Sequence, residues 1–246
     1  MGRVSWIAVS IVVGVSLLGR LPLSAQDTRK TAQAVAISGA VPSVDGFLDD
    51  EAWVSAVPIE EFVQKVPLEG AEPSVRTEVR MLYDAEALFV AARMYHPDPD
   101  LIRTTLTRRD GESDAERIVV ALDSYLDRRT AYTFGVSAAG VRFDAYHPED
   151  NDRAESRFNP VWSARVQIDD QGWTAEMRIP FSQLRFNASD SQVWGLEISR
   201  FLPERNEEIQ WVLIPLESAG FASNFGDLEG IEGIRSSRRI EVLPYS

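Results

Sequence analysis

From residue 35 onward apolar and polar residues alternate with a period of two, in short runs separated by turn chemistry, and this pattern predicts strands. Residues 74–83 (SVRTEVRMLY) and 87–95 (ALFVAARMY) flank Asp84-Ala85-Glu86 as a hairpin. Residues 118–122 form a short apolar run, and residues 131–137 and 141–145 flank Ala139-Gly140. Residues 161–168 and 173–179 flank Asp169-Asp170-Gln171-Gly172, whose glycine supplies the positive φ of a tight turn. Residues 193–200 and 208–214 complete the pattern. Helical signals are confined to a turn at 49–54 and another at 181–184, just after Pro180. About ten strands with no βαβ alternation predict an all-β, antiparallel two-sheet β-sandwich.

The two ends depart from this pattern. Residues 1–25 carry Arg3, a mostly apolar run from 4 to 18 and the small-residue site Leu23-Ser24-Ala25, the order of features of a signal peptide. The run is shorter than the roughly 20 residues a membrane-spanning helix needs. Residues 26–34 are polar and read as a linker, and the sandwich is assigned to residues 35–236. Residues 231–239 turn basic, and residues 240–245 then resume alternation. A lone strand cannot bury its apolar side, and its open edge invites pairing. Residues 237–246 therefore read as a linker or as the first strand of a further β-barrel unit.

Charge narrows the choice of partner. Without residues 1–25 the chain carries 23 basic and 38 acidic residues, a net charge of −15. Such a surface repels phosphate backbones and anionic lipid, so no nucleic-acid partner is expected. The absence of cysteine excludes disulfides, thiolate metal sites and cysteine catalysis. No Gly-x-Ser-x-Gly elbow, His-Glu-x-x-His or phosphate-binding glycine loop occurs, and nothing singles out a carboxylate pair, so the chain reads as non-catalytic. The two histidines sit in matching tetrapeptides, Tyr95-His96-Pro97-Asp98 and Tyr146-His147-Pro148-Glu149. These end strands, since proline stops the ladder, or else contribute ligands to a metal, although no zinc-site spacing is met.

Several motifs carry a resemblance. Val44-Asp45-Gly46 leads through acids to Trp53, and Thr77–Asp84 with Leu88-Phe89-Val90-Ala91 forms a hairpin motif. Residues 119–123 end a strand in Leu-Asp, residues 172–181 read GWTAEMRIPF, and Phe225-Gly226-Asp227-Leu228 follows. In this order they resemble the family-9 carbohydrate-binding modules. Arg108-Arg109-Asp110, residues 126–134 and 194–200, Asn159-Pro160-Val161-Trp162 and Leu184-Arg185-Phe186 are similar to a subgroup in which such a module precedes an outer-membrane β-barrel. Residues 241–245 resemble the point where that barrel would begin. The resemblance implies an exported carbohydrate-binding module linked to carbohydrate breakdown, with an oligo- or polysaccharide as partner, or alternatively a plug or docking appendage of a barrel. Its location would be periplasmic, outer-membrane-associated or at the cell surface. No cofactor is implied, a structural calcium ion being the one group left open.

Sugar sites on β-sandwiches need aromatic faces and fixed polar groups. Trp53, Trp173, Trp194 and Trp211 lie in or beside apolar strand patterns and read as core, whereas Trp162 follows a polar loop. The family clamps its sugar between two tryptophans. The matching loops here are residues 108–116, which hold no aromatic, and residues 219–224, which offer Phe221. A carboxylate the family uses falls near Val119 and an arginine near Gly135. The candidate sugar contacts are therefore Trp162, Phe221, Asn224 and Arg109.

Overall fold

The computed structural model describes Gly2 and residues 29–111, 113–155 and 157–235. Apart from Gly2, the expected signal peptide and the expected closing strand within residues 237–246 lie outside the described residues. Thirteen strands form among them: β1 (Thr31–Gln33), β2 (Val35–Ala36), β3 (Val63–Val66), β4 (Thr77–Tyr83), β5 (Ala87–Tyr95), β6 (Arg117–Asp123), β7 (Ala131–Ser137), β8 (Arg142–His147), β9 (Ser163–Asp169), β10 (Gly172–Pro180), β11 (Ser191–Leu202), β12 (Glu207–Gln210) and β13 (Gly226–Glu232). The two expected helical turns appear as single 3₁₀ turns at Glu51–Ser55 and Phe181–Gln183, joined by others at Pro99–Leu101 and Ala222–Asn224.

The larger sheet runs β1-β13-β11-β6-β7-β8, with β12 on β11 and β3 on β12, and the smaller runs β2-β4-β5-β10-β9. Both sheets are mixed, not antiparallel as the sequence pattern suggested. β1 runs parallel to β13 and β2 parallel to β4. The cause is one short segment, residues 31–36, that switches sheets. It reaches each sheet as a lead-in and not through a hairpin, so nothing forces it to run against its neighbour. Residues 31–33, expected in the linker, thus belong to a sheet, with Ala32 and Ala34 buried. The expected strand over 208–214 stops at Gln210. The Trp211 N–H still reaches Ile198 O at 2.8 Å, and after it side chains take over: Glu197 accepts the Val212 N–H and Gln210 accepts the Ile214 N–H.

Alternation fills the core from both sheets. Val79 and Met81 of β4, Leu88, Val90 and Met94 of β5, and Trp173 and Met177 of β10 face Val120, Phe134, Trp194 and Ile198 of the larger sheet. β5 is buried on both faces, because Phe89, Ala87 and Ala91 are covered from outside by Trp53 and Ala56. That cover is fastened by Glu176 of β10, which accepts the N–H groups of Asp45 (3.0 Å), Gly46 (2.9 Å) and Trp53 Nε1 (2.9 Å). Gly46 sits at φ +96°, and a Cβ there would meet the Val166 backbone at 2.9 Å. The Asp-Gly motif is thus required twice over, by backbone conformation and by space.

Between the sheets lies a buried ion pair. Arg200 of β11 donates from Nε to Glu116 Oε1 at 2.7 Å and from its two other nitrogens to Arg76 O, Thr77 Oγ1 and Tyr95 O. Trp173 Nε1 donates to the same Glu116 oxygen at 2.7 Å. A fully buried guanidinium is tolerated because its donors are used on both layers.

Candidate binding cleft

The outward face of the larger sheet is built from small or polar side chains at the strand centres. Successive residues of a strand alternate between faces. Glu197 and Ser199 therefore point away from the core that Leu196 and Ile198 enter. Cross-strand register sets two rows on this face. Glu197 pairs with Ala121, which pairs with Thr133, and Ser199 pairs with Val119, which pairs with Gly135. Phe143 of β8 lies over Gly135, where a Cβ would collide with the ring. The small residues leave a trough, and residues 214–216 and 218–221 wall it to form a cleft of about 490 Å³. Lys65, Glu208 and Gln210 complete one side, with Asp152 and Phe221 also on the lining.

The wall loop is held from beneath. Asp150 Oδ1 accepts the N–H of Phe221 at 2.7 Å and of Ser223 at 2.9 Å; desolvation pushes its carboxyl up, but the Ser223 side chain together with these backbone N–H groups outweighs it and holds the carboxyl below the usual range. Asn224 Nδ2 donates to Ser218 Oγ at 3.1 Å and Gly220 O at 2.9 Å. The Phe221 ring, half-buried, stands 4.8 Å from the His147 ring and 4.9 Å from Phe225. Within the cleft, Lys65 Nζ lies 3.7 Å from Glu208, and Gln210 Nε2 donates to Glu208 at 3.0 Å. Glu197 is only 3% exposed, and burial pushes its carboxyl well above the usual carboxylate range.

The four residues expected to touch sugar separate into two groups. Phe221 lines the cleft, and Asn224 shapes the loop that carries it. Trp162 is a correction. It is 3% exposed, packs edge-on to Phe134 at 5.4 Å, and spends its Nε1 proton on Asp144 Oδ1 at 2.9 Å. The polar loop before it disguised a core residue, since Asp144 satisfies the indole inside the sandwich. Arg109 belongs to the same knot, bonded to Asp144 and to Pro160 O, so it braces residues 159–162. Neither residue lines the cleft.

The tetrapeptide histidines are not brought together either. His147 faces Phe221 and Thr133. His96 falls with Glu116 and Glu204, whose ligand-type atoms lie within 4.8 Å of one another. This set does not fit a metal. The Asp98 N–H points at His96 Nδ1 at 3.1 Å, which places the ring proton on Nε2, where it reaches Glu204 at 3.1 Å. A ligating Nε2 would have to be bare, with the proton on Nδ1.

The profile of the carbohydrate family 9 binding domain-like family matches residues 44–229. The chain belongs to this family. Its fold is similar to that of a carbohydrate binding module family 9 from Caldicellulosiruptor kristjanssonii, solved in complex with cellotriose and with glucose. That likeness has a TM-score of 0.58 at 16% identity, covering 87% of this chain and 100% of the other. A putative carbohydrate-binding protein from Bacteroides uniformis ATCC 8492 is similar with a TM-score of 0.62 at 13% identity, over 82% of this chain and 100% of that one. None of the curated proteins matches the chain. The carboxylate that the family-9 resemblance implies falls near Val119, which lines the cleft floor. The buried carboxylate of that floor is Glu197, one strand away on β11. Sequence reasoning passed over Glu197, although the run Trp194-Gly195-Leu196-Glu197-Ile198 places one acid opposite three core residues.

Proposed function

We propose that the chain is a non-catalytic carbohydrate-binding module whose cleft on the larger sheet takes a short oligosaccharide. The observation that carries this reading is the cleft itself. Its floor of small side chains with fixed polar groups, beside the half-buried Phe221 ring, suits a pyranose that offers one apolar face and a rim of hydroxyls. A single aromatic wall in place of a two-tryptophan clamp implies weak binding. Calorimetric titration with glucose, cellotriose and other oligosaccharides tests it. Measurable heat is expected from at least one sugar, and Phe221→Ala should weaken that binding at least about tenfold, the equivalent of 1.4 kcal/mol. Absence of heat from every sugar, with a protein of unchanged melting temperature, rejects the reading.

We also propose export, on the signal-peptide pattern of residues 1–25. The intact mass of protein recovered from outside the cytoplasm should start at Gln26. A mass that retains residues 1–25 overturns cleavage. The subgroup resemblance further suggests a module that stands before an outer-membrane barrel, with residues 237–246 leading toward it.

A further inference from the structure

Glu197 is the one group in the cleft that a neutral sugar would leave half used. Its Oε2 accepts the Val212 N–H at 3.0 Å. Its Oε1 is equally buried and has no hydrogen-bond partner among the described residues. An ionised carboxylate is an acceptor with room for several donors, and leaving one of its oxygens buried and bare is costly. The surrounding charge relieves it only in part. Lys30 acts on Glu197, but its Nζ donates to the Glu61 and Trp211 carbonyls, and Lys65, the only basic residue on the lining among the described residues, lies against Glu208. The residue between Glu197 and Thr133 on the floor is Ala121, whose small side chain keeps the cleft low beside the carboxyl. With neighbouring strands roughly 4.8 Å apart, a ligand spanning that row crosses about 10 Å.

We infer that this cleft selects a sugar bearing a free amine, with its ammonium group seated on Glu197 Oε1. The inference rests on the saccharide reading above. An ammonium brings three donors and no acceptor, and its bond to a carboxylate is about twice as strong as a neutral one. A hydroxyl could donate a single bond to Oε1 but would leave the excess negative charge of the lining in place. The contact is a hydrogen-bonded ion pair: the ammonium keeps its three N–H bonds, one of them donates to Oε1, and no covalent bond is made or broken.

The test is calorimetry at pH 7 with three β-1,4-linked trisaccharides: the glucosamine trimer, its fully N-acetylated counterpart and cellotriose. The glucosamine trimer should bind at least about tenfold tighter than the other two. Glu197→Gln should abolish the preference, whereas Glu51→Gln, at an exposed acid outside the cleft, should leave it intact. Equal binding of the amine and N-acetyl trimers overturns the inference while the saccharide reading stands. A preference that survives Glu197→Gln also overturns it, by showing only a general attraction of an acidic protein for a polycation. Binding of none of the three by a folded protein removes the saccharide reading as well. Should Glu197→Gln fail to fold, the wild-type comparison repeated at high salt decides the matter: a preference lost with screening overturns the inference, and one that persists supports a buried pair.

Discussion

Glu197 can be examined through stability alone, without a ligand. Burial raises its carboxyl pKa in the folded state above the unfolded value, so folding is favoured with the proton bound. That contribution is fully present below the unfolded pKa, near 4.3, and is lost as pH rises through the raised folded value. Glu197→Gln keeps an oxygen for the Val212 N–H and removes the titration. The variant should therefore melt higher than wild type at pH 7, with the gain vanishing near pH 4. Thermal melts at the two pH values check this, and a Glu197→Gln protein less stable at pH 7 would show that the carboxylate is compensated in a way the hydrogen bonds do not reveal. The contrast with Trp162 explains what single residues disclosed. Whether a tryptophan stacks on a ligand or sinks into a core depends on a partner for its N–H, and Asp144 is distant from it in sequence. The place of Phe221 on the cleft lining was legible because the resemblance implies an aromatic in its loop. Glu197 was legible only as an acid on the outward phase of a strand, one among many.

At the scale of elements, period-two alternation located the long strands well, since β4, β5, β7, β10 and β11 each bury a continuous inward row. It failed where that signal is too short or is overridden. β1 and β2 together hold five residues, too few to show a period, and their parallel pairing follows from a sheet switch that no local pattern encodes. The strand over β12 ended early because two side chains took over the backbone donors of residues 212 and 214. The Asp-Gly turn at residues 45–46 was legible as a turn, but its task, fastening the Trp53 cover onto β10 through Glu176, was not. Gly46→Ala should thus cost more than a glycine in an ordinary loop. Strain at positive φ adds to a backbone collision, and a loss above about 1 kcal/mol is expected in urea denaturation. A loss of a few tenths would mean that the cover can shift away from Val166.

For the whole molecule, the sheets are held by a shared apolar core and by Arg200, which spans from β11 to the backbone of Arg76 and Tyr95. β13 already has a partner on both edges, β11 on one and β1 on the other. Among the described residues the sandwich edge at Asp227–Glu229 is thus already paired, so deletion of residues 237–246 should leave the melting temperature unchanged to within a few degrees. A larger drop in a thermal melt would place that segment in the sandwich and count against its role as a lead toward a barrel.

β11 meets β6 along one edge, and along the other it meets β13 and then β12 in tandem. Its neighbours come from residues near 120, near 208 and near 230, and through β13 and β12 it also gathers residues 31–33 and 63–66. Joining such distant segments demands that long loops close before the contacts that reward them exist, which slows assembly. Local hairpins such as β7–β8 and β9–β10 can form early, whereas the floor that carries Glu197 appears only once β6 and β11 have met. During synthesis, then, the cleft is among the last features to exist. A chain that holds a ligand there has already completed its larger sheet, so binding reports the finished fold.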